Sequence, residues 1–218
     1  MMADPTPDFT YFESVHQLAT WRTTSASTLH ISNIPLLSRP QASKPVPLAA
    51  ASPARIQEQS ATPQITRLLV CHDFKGGYLP YEAAQGIESS TTVYTCEYLQ
   101  YVDTFVYFSH KFVAIPPVSW INLMHKNGVK ILGTIIVEGD SGPLNLHKIF
   151  KPSLESPDAG FYADQLVLLA KTYGFDGWLL NFESPFPSDI FDLPILHSWL
   201  DYLREEMHRT IPGSQVIW

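Results

Sequence analysis

The string Asp176-Gly177-Trp178-Leu179-Leu180-Asn181-Phe182-Glu183 holds the richest chemistry in the sequence. Side chains alternate along a strand, so Asn181 and Glu183 are expected on one face at the strand's end. Leu179 shares that face one step lower, and Trp178, Leu180 and Phe182 take the other. A carboxylate and a carboxamide projecting together into a cleft suit one reaction in particular. That reaction is glycoside hydrolysis in which the sugar's own 2-acetamido oxygen attacks the anomeric carbon. Ordinary retaining glycosidases need two carboxylates, one as nucleophile and one as acid/base. With an internal nucleophile the protein supplies a single acid/base, expected at Glu183, and a polar group that holds the acetamide, expected at Asn181. The plainer alternative is a buried strand that ends in polar residues because it meets solvent there.

Other residues collect after apolar runs in the same way. His72 and Asp73 close the run from Arg67 and either bond sugar hydroxyls or brace the following loop. Gly76-Gly77 permits a sharp turn that would present Tyr78 and Tyr81 to a substrate, whose apolar ring faces stack on aromatics. A tight turn with surface tyrosines is the other reading. Glu138 closes a third run. It could contact sugar, raise the pKa of Glu183 through like charge, or stand in water as a loop carboxylate. Trp120 reads as a core residue. Cys71 and His72 are neighbours on a strand and should face opposite ways, which disfavours a Cys/His dyad. The two cysteines, Cys71 and Cys96, form no CxxC or His/Cys cluster, so neither a metal nor another cofactor is expected.

The elements that must position these residues alternate. Strands are expected at Arg67–Asp73, Thr104–Ser109, Val129–Val137 and Phe175–Glu183, and a fifth begins at Ser214. Helices are expected at Ser119–Asn127, Ala159–Tyr173 and Leu193–His208, the first two stopped by Gly128 and Gly174. Near-continuous apolar strands alternating with helices mean an α/β fold with a parallel sheet. Polar residues at the C-terminal ends of the strands suit a (β/α)8 TIM-barrel type fold. A doubly wound sheet shows the same alternation, but no G-x-G-x-x-G or Walker loop follows any strand, and Gly76-Gly77 runs into Tyr78-Leu79-Pro80 rather than a helix. A barrel takes eight strands in about 250 residues. Four strands and the start of a fifth therefore predict a barrel truncated to about its first half. Residues 65–218 form this catalytic portion. Residues 38–64, mostly Ala, Ser, Pro and Gln, read as a linker. Residues 1–37, with Phe9, Tyr11, Phe12 and Trp21, read as a segment docking on the barrel.

Composition bounds the rest. The 218 residues carry a net charge of −7 and 45% hydrophobic residues. Only 16% are charged, against about 25% in ordinary globular chains. A sizeable core is available, and nucleic acid is a poor partner for such a chain. No run approaches the roughly 20 apolar residues of a membrane helix. The N-terminus lacks the basic and apolar regions of a secretory signal. A cytosolic protein without membrane association is expected.

The motifs Cys71-His-Asp-Phe-Lys-Gly-Gly-Tyr78, Asp176-Gly-Trp-Leu-Leu-Asn-Phe-Glu183 and Val216-Ile-Trp218 together resemble glycoside hydrolase family 85. The likeness runs from about Phe9 to Trp218. Members are endo-β-N-acetylglucosaminidases that cleave the diacetylchitobiose core of N-linked glycans, and many transfer the glycan to an acceptor. The resemblance implies an N-linked oligosaccharide or glycoprotein substrate. It makes Glu183 the general acid/base and Asn181 its acetamide-orienting partner. It also places His72, Asp73, Gly77, Tyr78, Glu138 and Trp218 on the substrate side. Trp218 opens a motif whose next members, an assisting tyrosine first, would follow it. The alternative is a truncated, catalytically inactive fragment that binds glycan or folds poorly. Family 18 chitinases are a second alternative, but their strand carries D-G-x-D-x-D-x-E, and this chain has Leu179 and Asn181 where that pattern wants Asp.

Overall fold

A computed structural model describes residues 10–39, 67–79, 82, 95–150, 160–187 and 193–218. Five strands pair in parallel and in chain order: β2 (Leu69–Asp73), β3 (Thr104–Phe108), β5 (Lys130–Val137), β6 (Gly177–Phe182) and β7 (Gln215–Ile217). Two short strands, β1 (Tyr11–Phe12) and β4 (Val113–Ala114), make the sheet mixed. β4 runs antiparallel to the upper part of β5, and β1 runs antiparallel to β4. The fold is α/β. Consecutive strands are neighbours throughout the parallel part, with none of the order reversal that marks a doubly wound sheet.

The sheet is strongly curled. The hydroxyl of Thr104 on β3 donates to Oε1 of Gln215 on β7 at 2.8 Å, although β5 and β6 lie between them. Three strand spacings in a flat sheet would put these residues about 14 Å apart, farther than the two side chains can span. The register places Thr134, Ile136, Leu179 and Asn181 on this concave face with Thr104 and Gln215.

Helices cover the convex face: α1 (Val15–Thr20), α2 (Val118–Lys126), α3 (Gly142–Phe150), α4 (Phe161–Tyr173) and α5 (Leu193–Thr210). Each presents an apolar stripe at helical spacing, such as Tyr162, Leu166, Leu169 and Tyr173 on α4 or Trp199, Leu203 and Met207 on α5. They bury Phe105, Tyr107, Ile131, Ile135, Trp178 and Leu180 of the sheet. Trp178 packs outward and donates its indole N–H to Leu166 O on α4. Every residue of β5 after Lys130 is buried, which explains its unbroken apolar sequence.

Three elements differ from the sequence expectation. α3 stands where no element is expected from the sequence, and its first turn accommodates Pro143, which lacks an N–H. β4 and β1 are two residues each, too short to show a period, and exist only because β5 offers an edge. The linker expected at 38–64 lies outside the described residues except for Ser38 and Arg39. Arg39 donates to Asn127 O and Leu99 O at 2.6 and 2.7 Å.

The segment from Thr10 to Arg39 lies against the sheet and helices and is clasped by a buried histidine. His125, at the end of α2, has Ile34 O at 2.6 Å from Nδ1 and Asp176 Oδ2 at 2.9 Å from Nε2. Both ring nitrogens face acceptors, so both carry protons. Asp176 Oδ2 also accepts from the Ile131 N–H at 2.8 Å. Burial opposes the charge on His125, but the Asp176 carboxylate and the Ile34 carbonyl outweigh it, and the pKa is raised. A raised folded-state pKa gives stability that is full below the ordinary histidine range and is lost as pH rises through the folded value. The stability difference between wild type and His125→Gln should therefore shrink as pH rises above the ordinary histidine range. His125→Ala, which strands Asp176, should cost about 3–5 kcal/mol. Urea unfolding of the three proteins measures both effects.

Candidate functional site

The C-terminal ends of β2, β3, β5 and β6 meet at the mouth of the concave face. Asn181 and Glu183 come from the tip of β6. Asn181 Nδ2 donates to Glu183 Oε1 at 2.9 Å, so the two point the same way. Asn181 is half-buried and Glu183 exposed; neither is sealed from the groove. The Glu183 N–H and the Ser184 N–H both donate to Val137 O, which ties the end of β6 to the end of β5. Extending the register of Ile136 with Asn181 brings Glu138 beside Glu183 on the same face.

Asp73, at the tip of β2, and Glu138 are joined by His110. His110 Nδ1 lies 3.0 Å from Glu138 Oε1, and Nε2 lies 3.5 Å from Asp73 Oδ2. The hydrogen bond to Glu138, with a smaller contribution from Asp73, raises the His110 pKa despite some desolvation. Asp73 is held below the usual carboxylate range, first by the Lys75 N–H donating to Oδ1 at 2.7 Å and then by His110. All these groups are exposed enough for water to screen them.

His110 sits on the crossing from β3 to β4, and that crossing is pinned from both sides. Ser109 is buried, and its hydroxyl accepts from the Lys111 N–H. Lys111 pairs with Glu13 at 2.8 Å and lies 4.4 Å over the Tyr11 ring. No motif pointed to His110. Its sequence signal is its place, with Ser109, among the polar residues that follow an apolar run at a strand's C-terminal end.

The remaining expected site residues are placed elsewhere. His72 alternates with Cys71 and Asp73 and faces the helices, with its ring centroid 4.1 Å from that of Phe74 and 6.3 Å from that of Phe105. Only Asp73 of that pair reaches the mouth, because adjacent strand residues cannot share a face. Trp218 packs its ring 5.1 Å from Phe182, which lies across the sheet from Asn181 and Glu183. Tyr78 is a brace. Its hydroxyl donates to Ile115 O at 3.1 Å, and its ring lies 4.6 Å from that of Tyr11, tilted by 35°. Tyr81 lies outside the described residues.

Gly77 serves that brace. Its φ is +62°, and a Cβ there would come within 2.4 Å of the Tyr107 hydroxyl. That hydroxyl accepts from the Tyr78 N–H at 2.8 Å and donates to Glu82 at 3.0 Å. Glu82 is buried and also accepts from Trp120 Nε1 and the Leu79 N–H. Burial pushes the Glu82 carboxyl up, although these donors oppose the shift. Burial and the Glu82 charge together keep the Tyr107 phenol protonated. Gly77→Ala should destabilise by about 2–4 kcal/mol, combining a left-handed backbone with overpacking; thermal unfolding tests this.

Among the described residues, no group of three His, Cys, Asp or Glu side chains could hold a metal ion. No helix among them is long and apolar enough to cross a membrane.

Residues 78–218 match the model of glycosyl hydrolase family 85. The chain is 38% identical over 156 residues to cytosolic endo-beta-N-acetylglucosaminidase 2 of Arabidopsis thaliana, covering 72% of this chain and 21% of that protein. It is 35% identical over 209 residues to the cytosolic endo-beta-N-acetylglucosaminidase of Mus musculus, covering 95% of this chain and 25% of that protein. It thus spans a fifth to a quarter of the length of these curated relatives. Among solved structures, the glycoside hydrolase domain of Endo-D from Streptococcus pneumoniae R6 superposes with a TM-score of 0.67 at 17% identity. The match covers 97% of this chain and 31% of that one, a likeness of fold. The chain belongs to glycosyl hydrolase family 85.

Proposed function

We propose that this chain carries the acid/base edge of an endo-β-N-acetylglucosaminidase acting on the GlcNAc-β1,4-GlcNAc core of N-linked glycans. The observation that supports this best is the Asn181–Glu183 hydrogen bond at the mouth of the curled sheet. Glu183 protonates the leaving oxygen while the substrate's acetamide oxygen attacks C1 with retention overall. Asn181 orients the acetamide and stabilises the positive charge that develops as the oxazoline forms. Glu183, now a carboxylate, takes the proton from water that opens the oxazoline. An alcohol of a second sugar in place of water gives transglycosylation. The five sequential parallel strands are then the first part of a (β/α)8 barrel, with the site at its usual C-terminal end. The relatives named as cytosolic support the cytosol as the place of action.

The test is to incubate the purified protein with a high-mannose glycopeptide and follow it by mass spectrometry. A peptide keeping one GlcNAc supports the reading. Intact glycopeptide from a folded full-length protein, or release of the whole glycan, overturns it.

A further inference from the structure

Glu183 stands one residue beyond the end of β6 and is exposed, so its backbone decides where its carboxyl lies. Both residues flanking it pack on α3. Phe182 meets Phe150, the last residue of that helix, at 6.3 Å between ring centroids. Ser184 is buried against Gly142, the first residue of the same helix. A Cβ on Gly142 would run into both Cβ and Oγ of Ser184. The Gly142 backbone is not left-handed, so the close approach alone calls for glycine. We propose that α3 positions the acid/base by seating Gly142 directly on Ser184, a role that rests on the function proposed above. Gly142 and Ser184 are positioning residues and touch no substrate.

The tip of β6 has two anchors. The first is Val137 O, which accepts from the Glu183 N–H at 2.9 Å and the Ser184 N–H at 3.2 Å. Two bonds to one oxygen fix a point but leave the tip free to pivot about it. The seat on Gly142 stops that pivot. The start of α3 is itself fixed, because the Gly142 N–H donates to Gly139 O at 3.1 Å and Leu146 and Ile149 are buried. The Ser184 hydroxyl has no hydrogen-bond partner among the described residues, so the seat asks residue 184 for small size and not for polarity. A methyl group added at Gly142 must displace the Ser184 Cβ, which moves only with its backbone. Glu183 is then carried away from Asn181 and from the leaving oxygen. Misplacing a reacting group by about 1 Å can cost about 100-fold in rate. Sugar contacts made by other strands stay as they were, so the loss falls on kcat.

The test is a double-mutant cycle in the full-length protein. Steady-state kcat and KM on the high-mannose glycopeptide are measured for Gly142→Ala in three backgrounds: wild type, Ser184→Ala and Ser184→Gly. In wild type, Gly142→Ala should lower kcat about tenfold with KM changed less than about twofold. Ser184→Ala keeps the obstructing Cβ, so the loss should remain. Ser184→Gly removes it, and Gly142→Ala should then cost less than about twofold. Equal kcat losses in all three backgrounds, a loss confined to KM, or no loss in any overturns the positioning role while leaving the parent reading intact. So does a Gly142→Ala protein whose thermal melt shows it unfolded at the assay temperature in all three. If the wild type cleaves no glycopeptide, the parent reading fails and the positioning role falls with it.

Discussion

Glu183→Gln should lower glycopeptide cleavage about 10²–10⁴-fold, the usual worth of a positioned acid/base. Glutamine keeps the size of the side chain and can still meet Asn181, so the strand tip should stay in place. What it lacks is an exchangeable proton for the leaving oxygen and a base for the incoming water. Both half-reactions need one or the other. The loss should therefore persist when a preformed sugar oxazoline replaces the glycan, because hydrolysis of the oxazoline still needs the base. Steady-state rates on the two substrates provide the check. A variant that hydrolyses the oxazoline at the wild-type rate would remove Glu183 from the second step.

Asn181→Ala should separate the two substrates. Removing one polar group aimed at developing charge costs about 10²–10³-fold in comparable sites. That cost belongs to the step in which the acetamide must be held and polarised. A preformed oxazoline has passed this step, so much of its turnover should survive. Equal losses on glycan and oxazoline would refute the assignment. A fall in thermal stability alone would also count against it, because the Asn181–Glu183 hydrogen bond is exposed and worth little to the fold.

These expectations were readable from the sequence because strand alternation is a local rule. Near-continuous apolar runs place β5 and β6, and a two-residue spacing puts Asn181 and Glu183 on one face. The same rule, applied strictly, separates His72 from Asp73. The motif likeness grouped them, and the packing of His72 on Phe74 shows that the alternation governs. Glu82 had no signal, since its partners Tyr107 and Trp120 lie 25 and 38 residues away and converge only after folding. The bridge from His110 to Asp73 and Glu138 was hidden for a related reason. The partners of His110 lie on two other strands, and the turn that lifts it is pinned by Glu13 and Tyr11, about a hundred residues earlier. The face taken by Trp218 was not readable, because it depends on the register between β6 and β7, and that is fixed by tertiary pairing.

The two short antiparallel strands have a geometric effect of their own. β3 lies directly beside β5 only up to the pair of Val106 and Leu132. Above that level β4 takes the vacated edge of β5, and β1 adds to β4. The backbone groups of β5 that would face an open edge there are thus paired. The crossing from β3 to β4 is held over the end of the sheet, where His110 reaches Asp73 and Glu138 at once. Through β1 the rim of the site is tied to the N-terminal segment.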